Sequence, residues 1–177
     1  MPKIIEDIRE DVLALSRRIL LEEGPQALVI RRVASDLGLA TGTIYNYFPS
    51  KDVLLAEIML EDWQGLSADF EKKLPGLSGI DGLAVLYGLV EEYSARFAPT
   101  WQTYTGNVEV RRRQYHGVLV RQIARYMDIL FGFSDRPGTS GKGMPPEMFL
   151  AELVLYFASE GQRPFEDIKP YLINLIS

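Results

Sequence analysis

Residues 30–48 read IRRVASDLGLATGTIYNYF. Apolar positions at helical spacing predict one short helix from about Ile30 to Leu37 and another from Thr41 to Tyr47, with Gly38 at the turn between them. Val33, Leu37 and Ile44 form the apolar wedge that fixes the angle between the two helices. Ala34 is small where they approach closely. Gly38 supplies the left-handed backbone that the turn needs, and Leu39 plugs the turn against the core. Two ordinary packed helices with a glycine cap would account for each of these residues singly.

The face left over on the second helix is not explained that way. It carries Thr41, Gly42, Thr43, Tyr45, Asn46 and Tyr47, whereas a surface helix chosen for stability prefers Ala, Glu, Lys and Gln. Hydroxyl and amide groups hydrogen-bond to phosphates and base edges, a threonine methyl packs on a thymine methyl, and glycine admits close backbone approach. A helix-turn-helix puts its second helix in the major groove of DNA. Lys51 follows Ser50, a candidate N-cap, so its ammonium is expected at the positive end of the next helix, a position suited to gripping a phosphate. Residues 1–50 hold six Lys/Arg against seven Asp/Glu, which gives no overall basic excess. Between Arg31 and Lys51, however, Arg31, Arg32 and Lys51 are opposed only by Asp36, and local sign is what phosphates sense within a Debye length.

Gly24, Val33-Ala34, Leu37-Gly38-Leu39, Thr43-Ile44-Tyr45-Asn46-Tyr47-Phe48, Ser50-Lys51-Asp52 and Leu54-Leu55 resemble the DNA-binding domain of the TetR family of repressors, over roughly residues 5 to 58. The resemblance implies a homodimer on a palindromic operator in double-stranded DNA, with a C-terminal helical domain that dimerises and binds a small-molecule inducer. Carried over by position, the DNA contacts are Thr41, Gly42, Thr43, Tyr45, Asn46, Tyr47 and Lys51, with Arg31 and Arg32 touching the backbone. Three departures stand out. Val29 and Ala40 occupy positions where the family usually has a capping Ser or Thr, Thr41 stands where Lys is usual, and no basic arm precedes the first helix. Weaker nonspecific affinity and a shallower salt dependence are therefore expected.

On the N-terminal side, Ile4, Ile5, Ile8, Val12, Leu15, Ile19 and Leu20 predict an amphipathic helix ending near Gly24-Pro25. On the other side a longer helix starts after Pro49-Ser50 and passes Trp63, and a Gly/Pro/Ser-rich break covers residues 75–82. Further helices are expected at about 80–98, stopped by Pro99, at 101–131, at 147–160, and at 165–175, the last interrupted or started by Pro170. Residues 132–146, rich in Gly and Pro, read as a loop. No period-two alternation and no internal repeat is visible. The expected fold is all-α, with a helix-turn-helix DNA-binding domain at 1–50 and a helical effector-binding and dimerisation domain at 51–177.

Composition narrows the chemistry. The chain has 177 residues, a net charge of −5, no cysteine and one histidine, His116. Disulfides, thiolate catalysis, a zinc site and a histidine triad lose their usual residues, and no Glu-x-x-His pair exists for a di-iron bundle. An enzyme is not expected, and no catalytic residue, metal or cofactor is assigned. Neither a membrane span nor a signal peptide is indicated, so a cytoplasmic location is expected. Gly138 to Gly143 lacks the first glycine and the Ser/Thr of a phosphate-binding loop and is rejected as one. Arg111, Arg112 and Arg113, near Glu109, read as a solvated face or an ion-pair set.

Beyond residue 60 no motif is specific. Tyr87, Tyr93, Phe97, Trp101, Tyr104, Tyr115 and Tyr126 suggest, as a set, a pocket for an apolar or aromatic compound, with Tyr87, Phe97, Trp101, Tyr104 and Tyr115 as candidate lining. Apolar faces including Leu150, Leu153, Val154, Phe157, Ile168 and Leu172 suit a four-helix dimer interface, which is how the family pairs its last two helices. The alternative is a dimeric helical ligand-binding module that has lost DNA binding, a reading kept open by Val29 and Ala40.

Overall fold

The computed structural model describes residues 5–103, 108–135, 143–159 and 163–176, and every regular element among them is helical. The helices are α1 (Ile5–Glu23), α2 (Ile30–Asp36), α3 (Thr41–Tyr47), α4 (Lys51–Lys73), α5 (Gly79–Thr103), α6 (Val108–Phe131), α7 (Pro146–Ser159) and α8 (Phe165–Ile176). Single 3-10 turns follow α4 at Leu74–Gly76 and α6 at Phe133–Asp135. The chain divides into two compact units, one made of Met1–Trp63 with Arg96–Arg112, the other of Gln64–Ala95 with Arg113–Ser177. A division at residue 50 falls on Ser50, whose hydroxyl accepts the Val53 N–H at 3.2 Å and caps α4. The unit holding the helix-turn-helix continues past that point to Trp63 and takes in the end of α5.

Two proline expectations are corrected. Pro99 does not stop its helix, since α5 runs through it to Thr103, and the next helix begins at Val108 rather than near 101. Pro170 likewise lies inside α8, which is continuous from Phe165. Proline removes one N–H and crowds the carbonyl four residues back. Those carbonyls belong to Ala95 and Glu166, both exposed residues, where solvent can replace the lost bond. Packing on the opposite side then holds each helix, through Phe97 and Thr100 in α5 and through Ile168 and Leu172 in α8, all buried. The candidate loop 132–146 begins as expected, with Gly132 at φ 63° closing α6. Residues 136–142, which hold all of the rejected phosphate-loop match except Gly143, lie outside the described residues.

In the first unit, Val12, Leu28, Val33, Ile44, Leu54, Ile58, Trp63 and Phe97 have no exposed surface. Each such aliphatic side chain contributes about 1.5–3 kcal/mol relative to exposure, and together they draw α1 to α4 and the end of α5 onto one core. In the second unit, Gly82 allows α5 and α6 to approach closely, since a Cβ there would enter the Leu130 side chain. Phe70 and Tyr126 meet edge to face at 4.9 Å. The Tyr126 hydroxyl donates to Glu71 at 2.8 Å and accepts from Gln122 at 2.7 Å. The Tyr87 hydroxyl donates to the Arg163 carbonyl at 2.6 Å, its ring lying 5.5 Å from that of Phe165. No helix among the described residues is long and apolar enough to cross a membrane.

Candidate nucleic-acid interface

The turn between α2 and α3 is built as its residues dictate. Leu37 closes α2 in right-handed geometry, and Gly38 follows at φ 65°. The Gly38 N–H donates to the Ser35 carbonyl at 3.1 Å and the Leu39 N–H to the Ala34 carbonyl at 2.8 Å. This is the Schellman pair of bonds, which satisfies carbonyls the helix end leaves open and sets the direction of the exit. Val33, Ala34 and Ile44 are buried beneath the turn, while Leu37 and Leu39 are half-buried at its margin.

With Ile44 turned inward, the rest of α3 faces out. Gly42, Tyr45 and Asn46 are exposed, and Thr41, Thr43 and Tyr47 are half-exposed. Tyr45 is 47% exposed, so its side chain is open to a ligand. Phe48, buried, closes the helix with its N–H on the Ile44 carbonyl at 2.8 Å. Neither Val29 nor Ala40 makes a side-chain cap, although both have the extended backbone of an N-cap residue. The N-cap side chains therefore take none of the first N–H groups of α2 and α3, and the Thr43 N–H donates instead to the Ala40 carbonyl at 2.9 Å.

The three cations behave differently from one another. Arg31 is exposed and makes no ion pair among the described residues. Arg32 is held by Glu23 through two bonds of 2.7 and 2.6 Å, with Asp36 at 3.7 Å. The bonds to Arg32 push the Glu23 carboxyl below its ordinary value. Lys51, expected to point at a ligand, donates to the Pro25 carbonyl at 2.6 Å and is half-buried, and burial lowers its pKa. It therefore ties the start of α4 to the turn after α1. The partner lies 26 residues back, out of reach of any local pattern.

One charged group was missed by sequence reasoning. Arg9 and Arg17 of α1 face Glu57, Glu61 and Asp62 of α4, with Arg9–Glu57 at 2.8 Å, Arg17–Glu61 at 2.7 Å and Arg17–Asp62 at 2.7 Å. Arg96 of α5 reaches the same Asp62 at 2.8 Å. The available signal was spacing, since Glu57 and Glu61 stand four apart and Arg9 and Arg17 eight apart, each pair on one helical face.

The remaining candidates are placed as follows. Tyr87 and Phe97 are fully buried and Tyr115 is half-exposed, while the Trp101 side chain and Tyr104 lie outside the described residues. Tyr87 belongs to the second compact unit and Phe97 to the first. Leu150, Val154, Ile168 and Leu172 are buried within the chain itself, and Leu153 and Phe157 are half-exposed. The exposed apolar residues of α7 and α8 are instead Phe149, Tyr156, Tyr171, Ile173 and Leu175. His116 Nε2 lies 2.6 Å from Glu152, joining α6 to α7, and no group of metal-ligating side chains occurs among the described residues.

Residues 12–58 match the model of the bacterial regulatory proteins of the tetR family. An HTH-type transcriptional regulator of Mycobacterium bovis is 32% identical over 62 residues, 35% of this chain and 26% of that protein. An HTH-type transcriptional repressor of Mycobacterium tuberculosis is 31% identical over 84 residues, 45% of this chain and 44% of the relative. The regulator UidR of Escherichia coli is 27% identical over 73 residues, 41% of this chain and 37% of UidR. The chain thus spans between about a quarter and under a half of the curated relatives it matches. A crystal structure of a TetR transcriptional regulator from Legionella pneumophila superposes with a TM-score of 0.54 at 14% identity, covering 95% of this chain and 92% of that one, which is a likeness of fold.

Proposed function

We propose that the chain, whose residues 12–58 match the model of the tetR family of bacterial regulatory proteins, is a member of that family and a sequence-specific DNA-binding transcriptional repressor, acting as a homodimer released from its operator by a small apolar or aromatic inducer. The observation that carries DNA reading is α3 itself. Gly42, Tyr45 and Asn46 are exposed on a helix fixed from below by Ile44 and from behind by the Schellman turn. Rigid presentation of short polar side chains is what base-edge recognition requires. Thr43, Tyr45, Asn46 and Tyr47 are assigned to base edges or neighbouring phosphates, and Arg31 to the phosphate backbone. Lys51 and Arg32 act by holding the domain together, through Pro25 and Glu23.

The homodimer is assigned to the apolar surface of α7 and α8. Phe149, Tyr156, Tyr171, Ile173 and Leu175 supply it, with Leu153 and Phe157 at its margin. Leu150, Val154, Ile168 and Leu172 support it from inside. Effector binding falls to the helices beyond α4, where the buried aromatic residues are concentrated.

Enrichment of a random duplex pool by the full chain tests this function. An inverted repeat with two half-sites about one helical turn apart is expected. A pool that stays random at low salt would move the weight to a dimeric ligand-binding module, the reading that the uncapped Val29 and Ala40 keep open.

A further inference from the structure

The charged framework of the first unit is continuous from the recognition helix to α5. The Arg9 guanidinium lies over the Phe48 ring at 5.8 Å, at the end of α3. It also pairs with Glu57 and, at 3.6 Å, with Glu61. Glu61 holds Arg17, Arg17 reaches Asp62, and Asp62 holds Arg96. Asp62 is the restricted member, its side chain 6% exposed. One of its oxygens faces Arg17 of α1 and the other accepts a bond from Arg96 of α5. Arg17 Nε makes an ion pair there rather than an aligned hydrogen bond, so its hold on the carboxylate depends on where Asp62 is kept. A buried carboxylate between two guanidiniums resists loss of either one, because the desolvated charge is then left under-compensated.

We infer that Asp62 is a positioning residue that couples α1 to α5, so that the end of α5 beyond Ala95 moves as part of the DNA-binding unit. The inference deepens the reading of the chain as an effector-responsive regulator, because α5 runs on from the second unit into the first. It gives any event that displaces α5 a direct electrostatic route to α1 and to Phe48 under α3. Such coupling is read as non-additivity of substitutions at its two ends.

Hydrogen exchange on the full chain, without DNA, measures it. Arg17→Gln is a change on α1, and it is expected to speed exchange of the Phe97 to Thr103 amides of α5 by at least about tenfold. In an Asp62→Asn background the same change should add less than about twofold, since the route is already cut. Arg17→Lys, which keeps the charge, should restore most of the protection, a rescue that a packing role for the side chain would not require. Melting curves show that each variant is folded. Unchanged α5 exchange in Arg17→Gln, or additive effects of the two substitutions, overturns the coupling. Because no DNA enters this arm, its failure is separate from a failure of DNA binding. In a second arm, an enriched duplex should slow exchange in α3 of both the wild type and Arg96→Gln, but in α5 of the wild type only. Persistence of the α5 effect in Arg96→Gln also overturns the inference, whereas absence of any α3 effect counts against DNA reading.

Discussion

Placing a serine at position 40 is expected to stabilise the protein, whereas the same residue at position 29 is not. Ala40 precedes α3 with φ −70° and ψ 140° and has no side-chain cap. A serine in that geometry accepts the Gly42 N–H, worth about 1 kcal/mol. Ala40 is exposed, so no burial is lost in exchange. For a chain of this size a gain of about 1 kcal/mol raises Tm by roughly 2–4 °C. Val29 precedes α2 with φ −121° and ψ 126°, equally suited to a cap, but its side chain is only 48% exposed. Val29→Ser therefore forfeits about half the burial value of a valine, about 1 kcal/mol, which offsets the new bond of about 1 kcal/mol and leaves Tm nearly unchanged. Circular dichroism melts of the two single variants read the contrast. Equal shifts, or no rise for Ala40→Ser, would refute the capping argument.

Three further outcomes are expected. Gly38→Ala should destabilise by roughly 1–2 kcal/mol in denaturant titration, purely through the left-handed backbone, since a Cβ there meets nothing within 4 Å. Burial, and then the charge of Glu91, pushes the Tyr87 hydroxyl up to about 12, so the neutral form is favoured in the folded state. Its contribution should be complete below about pH 10, the unfolded value, and lost as pH rises toward 12; the alkaline fall in stability should be smaller in Tyr87→Phe. Arg31→Ala should weaken duplex binding and lower the slope of log affinity against log salt by about 0.9 for each phosphate it no longer neutralises. Arg32→Ala, whose charge is already engaged by Glu23, should change that slope less, as salt-series anisotropy would show.

The helix-turn-helix was legible because its determinants are local. The spacing of Val33 and Ile44, the glycine at position 38 and the hydroxyl of Ser50 each act within one or two turns, and each does in the structure what its chemistry dictates. What escaped depends on partners far along the chain. Lys51 finds Pro25, Arg9 finds Glu57 and Arg96 finds Asp62 at separations of 26, 48 and 34 residues, which no periodicity encodes. By its own geometry Pro99 reads as a helix stop and Pro170 as an interruption or start, yet buried neighbours carry both helices through. The apolar residues of α7 and α8 were legible as apolar, but not which of them turn inward. Leu150 and Leu172 pack within the chain while Phe149 and Tyr171 stay outside, a choice made by tertiary packing.

The most direct test of the central claim is a fluorescence anisotropy titration of an enriched duplex with the wild type and with a Thr43→Ala, Asn46→Ala double variant. Both substituted side chains lie on the outer face of α3, so the variant should melt close to the wild type. The wild type is expected to bind tightly. The variant should lose about 1–3 kcal/mol for each base-edge interaction it can no longer make, while its weaker affinity for unrelated duplexes stays nearly the same. Equal affinity of the two proteins for the enriched duplex would contradict the assignment of α3 as the reading helix.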